Sequence, residues 1–313
     1  MSEKEITDLR AFWENAVPGD YQHFLSRYGF PLHFKEPEAG GIRKIVAAKG
    51  DIFATGRIVP LDWDSEFFGF SCARLEGLFF SGEGDPIYAR ERLMAALLEE
   101  EVARTAVFLS CRVRADDLPL AQALEAAGFR LVDVMAVFMK KLDGLAHSRR
   151  HGIALKYEAS NIIPLLEECI RGMRFGRMLA DPNIPKEKAH EFYLQVSRYY
   201  LTQGAAAVVL QYDGANVGLA IGVPDETISG YLKRRYGYLW FIGLLSDFKG
   251  KRLGHELFSL FCREFACSCD ILEIGTQVHN YPATRVYEKG ACAVSNHLLT
   301  FHRWNKKTTH PPC

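Results

Sequence analysis

The chain has 313 residues, 48% apolar and 24% charged, with Lys plus Arg and Asp plus Glu equal at 38 each. That balance excludes a global field drawing the protein to nucleic acid or a membrane surface, so any anion binding must be local. No run of about 18 apolar residues occurs, and the acidic opening "MSEKEITDLRAFWENAVPGDY" has no apolar core segment, so neither a membrane span nor a signal peptide is expected.

Eight cysteines fall mostly inside apolar patterns, where free Cys behaves as a small hydrophobe in a reduced, cytoplasmic compartment. Cys267 and Cys269 are too close for a usual zinc pair and lack a second pair or a His-x-His, so no metal is expected.

Residues 1–57 are turn-rich and remain an extension without an assigned role. From Ile58, "IVPLDWDSEFFGFSCARLEGLF" reads as strand, turn, strand, with Asp64 and Gly69 in the turn. Apolar residues at 87, 94, 97 and 98 give a helix; "TAVFLSCRV" a buried strand; "DLPLAQALEAAG" a short helix; and "FRLVDVMAVFMKKL" another strand. This pattern makes 58–142 a smaller α/β domain, and the charged, aperiodic stretch 143–152 a linker.

A second domain at 153–305 comes next, with a tail at 306–313. It opens with a strand at 153–157, a helix after Ser160 and another at about 186–202. A hairpin is expected through Gly214–Asn216, with "KRRY" (233–236) as a hairpin tip. "YGYLWFIGLL" is a central strand, residues 254 to about 267 a helix, "DILEIGTQV" a strand, "NYPATRVYEKG" a short helix and "CAVSNHLLTFHRW" the last strand. No internal repeat is evident in the residues.

The loop "FKGKRLGHELF" (248–258) sets Lys249, Lys251 and Arg252 between Gly250 and Gly254, just before a helix. Free N–H groups and the positive dipole end at a helix N-terminus favour phosphate there. Alone, the loop is equally a basic helix cap. No G-K-[ST] or G-x-G-x-x-G is present, so neither a nucleotide P-loop nor a Rossmann fingerprint is expected.

The residues on either side of the loop carry more. The span "WFIGLLSDFKGKRLGHELFSLF…LEIGTQVHNYPATRVYEKGA" resembles the acetyl-CoA site of the GNAT acetyltransferases, with their [RQ]-x-x-G-x-[GA] loop, a later Asn and a helix Tyr. The resemblance implies a mixed, split central sheet flanked by helices, and acetyl-CoA as cosubstrate. It places the CoA pyrophosphate over Lys249, Gly250, Lys251, Arg252, Leu253, Gly254 and His255. Arg252 stands where the family has Gly, and a negative φ is expected there. Leu244 and Leu245 are expected to pair with the pantetheine arm through backbone groups, Asn280 to contact the cofactor, and Tyr287 to face the thioester sulfur.

"LDWDSEFFGF", "GFRLVDV", "RFGRMLADPNIPKEKAHEFYLQ" and the closing segment are similar to the dTDP-fucosamine N-acetyltransferases. This narrower resemblance implies a nucleotide-linked 4-amino-deoxy sugar as acceptor and Asp133 as base, with strand-edge exposure of Asp133 the alternative. Arg174, Phe175, Arg177 and Tyr193 are the acceptor-binding candidates, against a solvated basic face and ordinary core packing. His279, beside Asn280, is assigned no catalytic role. Two other readings stay open: a GNAT enzyme for another small amine or a protein N-terminus, and a non-catalytic acyl-CoA-binding module. A homodimer is also left open.

Overall fold

The computed structural model describes residues 42–47, 53–81, 86–142 and 159–305. Most of the 1–57 extension, the linker at 143–152, the strand expected at 153–157 and the tail at 306–313 lie outside these residues. The protein is an α/β chain with mixed sheets and flanking helices. Its described residues divide into a first unit, 42–134 with 296–305, and a second unit, 135–295.

In the first unit, strands β1 (Ile42–Ala47), β2 (Phe53–Pro60) and β3 (Cys72–Ser81) pair antiparallel in sequence. The strands thus begin inside the segment to which the sequence assigns no role. Between β2 and β3 the expected turn is a helix, α1 (Asp62–Phe68), closed by Gly69 at φ 77°. A left-handed glycine ends a helix as readily as it makes a turn, so the two share a signal. Helices α2 (Pro86–Leu98) and α3 (Glu101–Thr105) lead to β4 (Phe108–Arg114), which runs parallel to β3. Helix α4 (Leu118–Ala126) precedes β5 (Arg130–Lys141). Leu93, Met94 and Leu97 of α2 and Leu120 and Leu124 of α4 pack on Ile58, Leu75, Cys111 and Phe301.

The second unit carries α5 (Ala159–Arg171), the short α6 (Arg177–Ala180) and α7 (Lys186–Thr202). Strands β6 (Ala206–Tyr212) and β7 (Ala215–Pro224) form the expected hairpin, with Asp213 and Gly214 at φ 50° and 75°. Between β7 and β8 (Tyr236–Leu244) there is a helix, α8 (Glu226–Leu232), where a hairpin tip was expected. The Asp225 side chain accepts from the Ile228 N–H at its start, and Lys233 closes it in the left-handed region. Of the "KRRY" residues, Tyr236 is buried on β8 and Arg235 pairs with Asp270. Helix α9 (Leu253–Phe265), β9 (Ile271–Gln277), α10 (Tyr281–Lys289) and β10 (Ala293–Trp304) complete the order.

Helix α9 owes its position to a 3.6-residue apolar stripe, in which Leu257, Phe258, Phe261 and Phe265 are all buried. Two glycines let it lie flat on the sheet. A Cβ at Gly222 of β7 would sit 2.7 Å from the rings of Phe261 and Phe265, and one at Gly237 of β8 2.7 Å from Phe265 and Cys269.

A repeat that identity does not reveal is plain in the elements. Apart from the five-residue α3 that follows α2, both β3–α2–β4–α4–β5 and β8–α9–β9–α10–β10 run strand, helix, parallel strand, helix, strand. The matching helices have 13 and then 9 residues, and both last strands have 12. Asp117 and Asn280 stand at the N-caps of α4 and α10, each with a Pro at the second helical position. Gly128 and Ala291, just beyond those helices, both have positive φ, 83° and 56°. The last strands are exchanged between the repeats. Leu298–Trp304 of β10 pairs with β4 to complete the first unit's sheet, and Met135–Lys141 of β5 pairs with β9 to complete the second's.

Candidate functional site

The site is built around a strand pair that comes apart. β8 and β9 are registered in parallel only from Tyr236 with Ile271 to Leu239 with Ile274. Both strands continue, to Leu244 and Gln277. On its other edge β8 stays with β7 as far as Leu244 opposite Gly218. Ile221 faces Phe241 and Gly222 faces Leu239, so Trp240 is an extra residue, a bulge where the split begins. Among the described residues one edge of β8 is thus open from Trp240 to Leu244, and an extended chain bearing amides can add to it as a strand would. Leu244 lies on that edge. At Leu245 the N–H donates to the Val217 carbonyl at 2.9 Å and the carbonyl accepts from the Phe248 N–H at 3.0 Å.

The exposed loop after β8 makes a 3₁₀ turn (Ser246–Phe248), runs extended at Lys249, reverses through Gly250 at φ 81° and enters α9. Here the expectation of a negative φ at Arg252 is corrected. Arg252 is the N-cap of α9 at φ 64°, ψ 1°, in the left-handed region. Its neighbours impose this: Leu253 and Leu257 are anchored in the core, and the chain must turn a second time to deliver them. Among the described residues no side chain caps the helix, and the His255 N–H bonds back to the Arg252 carbonyl at 3.2 Å, leaving the amides of Leu253 and Gly254 at the mouth of a 13-residue helix. The Lys249 ammonium donates to the Gly172 carbonyl at 3.0 Å, just beyond α5, and Lys251 Nζ lies 4.9 Å from the Phe248 ring.

The strain at Arg252 is testable by itself. A non-Gly residue in this region costs about 1–2 kcal/mol, part of which a glycine returns through the entropy of its unfolded chain. Arg252→Gly is therefore expected to raise unfolding stability by about 0.5–1 kcal/mol in a urea titration. Loss of a cation beside the amides should weaken acetyl-CoA binding in the same variant. Unchanged or lower stability would show that Arg252 is not strained.

At the far side of the split, the Asn280 carbonyl accepts from Thr284 N–H at 3.0 Å to open α10, and its side-chain amide donates to Thr276 Oγ1 at 3.0 Å. Seven residues on, Tyr287 is buried, its ring 5.6 Å from Phe138 of β5 and 5.3 Å from Phe258 of α9. Burial, with lesser contributions from Cys292 and Cys262, pushes its phenol well above the ordinary tyrosine range, so it stays protonated at neutral pH.

The four acceptor candidates separate. Phe175 meets His279 edge to face at 5.2 Å, beside Asn280. Arg174 is exposed, and the Arg177 guanidinium lies 5.9 Å from the Phe192 ring. The Tyr193 hydroxyl accepts from the Met178 N–H at 3.2 Å, a structural task at the start of α6. Asp133 is buried, 3% exposed, in the part of β5 belonging to the first unit, so strand-edge exposure does not describe it.

A polar group unmarked by the sequence also lies in the second unit. Glu273 of β9 is buried and takes the Tyr236 hydroxyl. The Tyr238 ring meets Tyr200 of α7 edge to face at 6.2 Å, and burial followed by Tyr200 pushes its phenol up. Trp240, at the bulge, donates to Ser197 Oγ at 2.9 Å. A single carboxylate in an alternating strand reads as solvent-facing, and only the fold brings Tyr236 to it.

Comparison with known proteins places this geometry. Residues 172–291 match the model of the Acetyltransferase (GNAT) family. A GCN5-related N-acetyltransferase from Sphaerobacter thermophilus superposes with a TM-score of 0.53 at 14% identity, over 92% of this chain and 94% of that one. A conserved protein of unknown function from Staphylococcus epidermidis does so with a TM-score of 0.55 at 12% identity, over 80% and 91%. These likenesses concern the fold. The spore coat polysaccharide biosynthesis protein SpsD of Bacillus subtilis is 26% identical over 136 residues, 42% of this chain and 44% of that protein, so less than half of the relative's length is matched.

Proposed function

We propose that this chain, whose residues 172–291 carry a GNAT acetyltransferase domain that uses acetyl-CoA, acetylates the amino group of a nucleotide-linked amino-deoxy sugar of the dTDP-4-amino-4,6-dideoxyhexose type. The observation that carries acetyl transfer is the split between β8 and β9, opening at the Trp240 bulge and ending beside the uncapped start of α9. An extended pantetheine arm fits the open edge of β8, and a pyrophosphate fits the helix amides and the basic loop. The sugar acceptor is supported by the sequence resemblance and by the likeness to a polysaccharide biosynthesis protein.

In this reading the neutral amine attacks the thioester carbonyl, a C–N bond forms, and collapse of the tetrahedral adduct breaks the C–S bond. Tyr287 hydrogen-bonds the sulfur as it gains charge, and Asp133 takes the amine proton, through water. Phe175, next to His279 and Asn280, is the aromatic candidate for contact with the acceptor.

The test is acetylation measured with dTDP-linked 4-amino-4,6-dideoxy sugars beside a panel of polyamines, small amines and peptides. Turnover of the sugars is expected, with a large loss of kcat in Asp133→Asn. Turnover of polyamines or peptides alone would reject the sugar acceptor, and wild-type kcat in Asp133→Asn would reject that base. Thermal stabilisation by acetyl-CoA without acetylation of any amine would favour a binding module.

A further inference from the structure

The split between β8 and β9 has a closed end, and the side chains there decide what fits. The last registered pair is Leu239 with Ile274. One step further along, β8 carries Trp240 and β9 carries Gly275, which has no side chain. Both belong to one face of the sheet. Side chains alternate along a strand, so Gly275 shares the face of Glu273, which is registered with Tyr238. Tyr200 of α7 ties Trp240 to that face, with ring centres 6.2 Å from Tyr238 and 4.9 Å from Trp240. Gly275 is exposed although Ile274 and Thr276 on either side of it are buried, so the closed end of the split is open to solvent on this face.

That space has three walls. Toward the paired part of the strands it ends at Tyr238 and Glu273, where the Tyr236 hydroxyl bonds the carboxylate. Met135 of β5 lies along β9, since a Cβ at Gly275 would sit 2.7 Å from its Sδ. On the β8 side stands the Trp240 indole. Its N–H donates to Ser197 Oγ at 2.9 Å, and that fully buried hydroxyl donates in turn to the Tyr193 carbonyl at 2.7 Å. Packed also on Tyr200, the indole cannot turn aside without giving up its hydrogen bond, so it stands as a wall.

We propose that Trp240 sets the length of the acyl group this protein accepts: acetyl fits between the indole, Gly275 and Met135, and a longer chain runs into the ring. The proposal rests on the reading of the split as the acyl-CoA site. A pantetheine arm added along β8 from Leu244 brings its thioester to the Trp240 bulge, where the open edge ends. Methylenes beyond the acetyl carbons then have no room unless packed side chains shift, which is how a rigid pocket discriminates by size.

The experiment is titration calorimetry of the full chain with CoA, acetyl-CoA, butanoyl-CoA and hexanoyl-CoA, for wild type, Trp240→Ala, Trp240→Phe and Ser197→Ala. In wild type, Kd is expected to rise about tenfold or more from acetyl-CoA to hexanoyl-CoA. In Trp240→Ala the ratio of the two should fall to about one or below, because the chain fills the space the indole leaves. Trp240→Phe keeps a ring on Tyr200 and Ser197→Ala keeps the indole but frees its N–H, so both carry the test if the alanine variant does not fold. Intermediate ratios are expected in these two. Equal Kd for all three acyl-CoAs in wild type, or the wild-type ratio in every folded variant, overturns the proposal and leaves the reading of the split intact. No binding of CoA or acetyl-CoA to wild type overturns that reading, and the proposal with it.

Discussion

Tyr287→Phe is expected to lower kcat about 100-fold, the low end of what a positioned proton donor contributes, while acetyl-CoA affinity stays as in the wild type. The fold isolates the hydroxyl well. The ring contacts with Phe138 and Phe258 persist in phenylalanine, so neither the core nor the split should change. A thiol has a reference pKa of about 8.5 against about 10 for a phenol, and burial pushes this phenol further up. Full proton transfer to the thiolate is therefore uphill, and the useful interaction is a hydrogen bond that strengthens as charge reaches the sulfur. That argues for the low end of the range. Steady-state kinetics and acetyl-CoA calorimetry on the variant check it. Wild-type kcat would return Tyr287 to the aromatic core.

The repeat bears on why one cofactor site is expected. In the first copy, Leu124 occupies the helix position that Tyr287 holds in the second. Asp117, the counterpart of Asn280, caps its own helix and pairs with Arg90. The connection into α2 reads "SGEGDP", with two acids where the second copy has Lys249, Lys251 and Arg252. The shared backbone plan survives in the first copy; the side chains that suit a CoA phosphate do not.

The legible part of the fold came from local periodicity and punctuation. The apolar stripe of α9, the Pro and Gly around α10 and the hairpin are all short-range signals, and the structure agrees with them, closing the hairpin expected through Gly214–Asn216 slightly earlier, at Asp213 and Gly214. Features set by distant partners were not legible. The exchange of β5 and β10 depends on strand pairings between residues more than a hundred positions apart. Arg252 takes a conformation that its own preferences oppose, because Leu253 and Leu257 are held by the core. Nothing local in the sequence marks Glu273, because its partner Tyr236 lies 37 residues away. The helix at Asp62–Phe68 was hidden by its glycine, which serves a helix end and a turn alike.

Phe261→Ala is expected to cost about 3–5 kcal/mol of stability and to weaken acetyl-CoA binding with it. Phe261 is fully buried, stacks on Phe265 at 5.0 Å and lies directly over Gly222, whose missing side chain leaves the ring its space. A truncation there leaves a void that a 13-residue helix, fixed also by Leu257 and Phe258, cannot collapse to fill. The same helix presents its first amides at the end of the split, so a helix that loosens loses alignment with the open edge of β8. Chemical denaturation gives the first effect and calorimetry with acetyl-CoA, at a temperature where the variant remains folded, the second. A large stability loss with unchanged acetyl-CoA affinity would mean that the loop holds its own shape without the seat of α9. The pyrophosphate contacts would then have to be assigned to the loop side chains, and not to the helix amides.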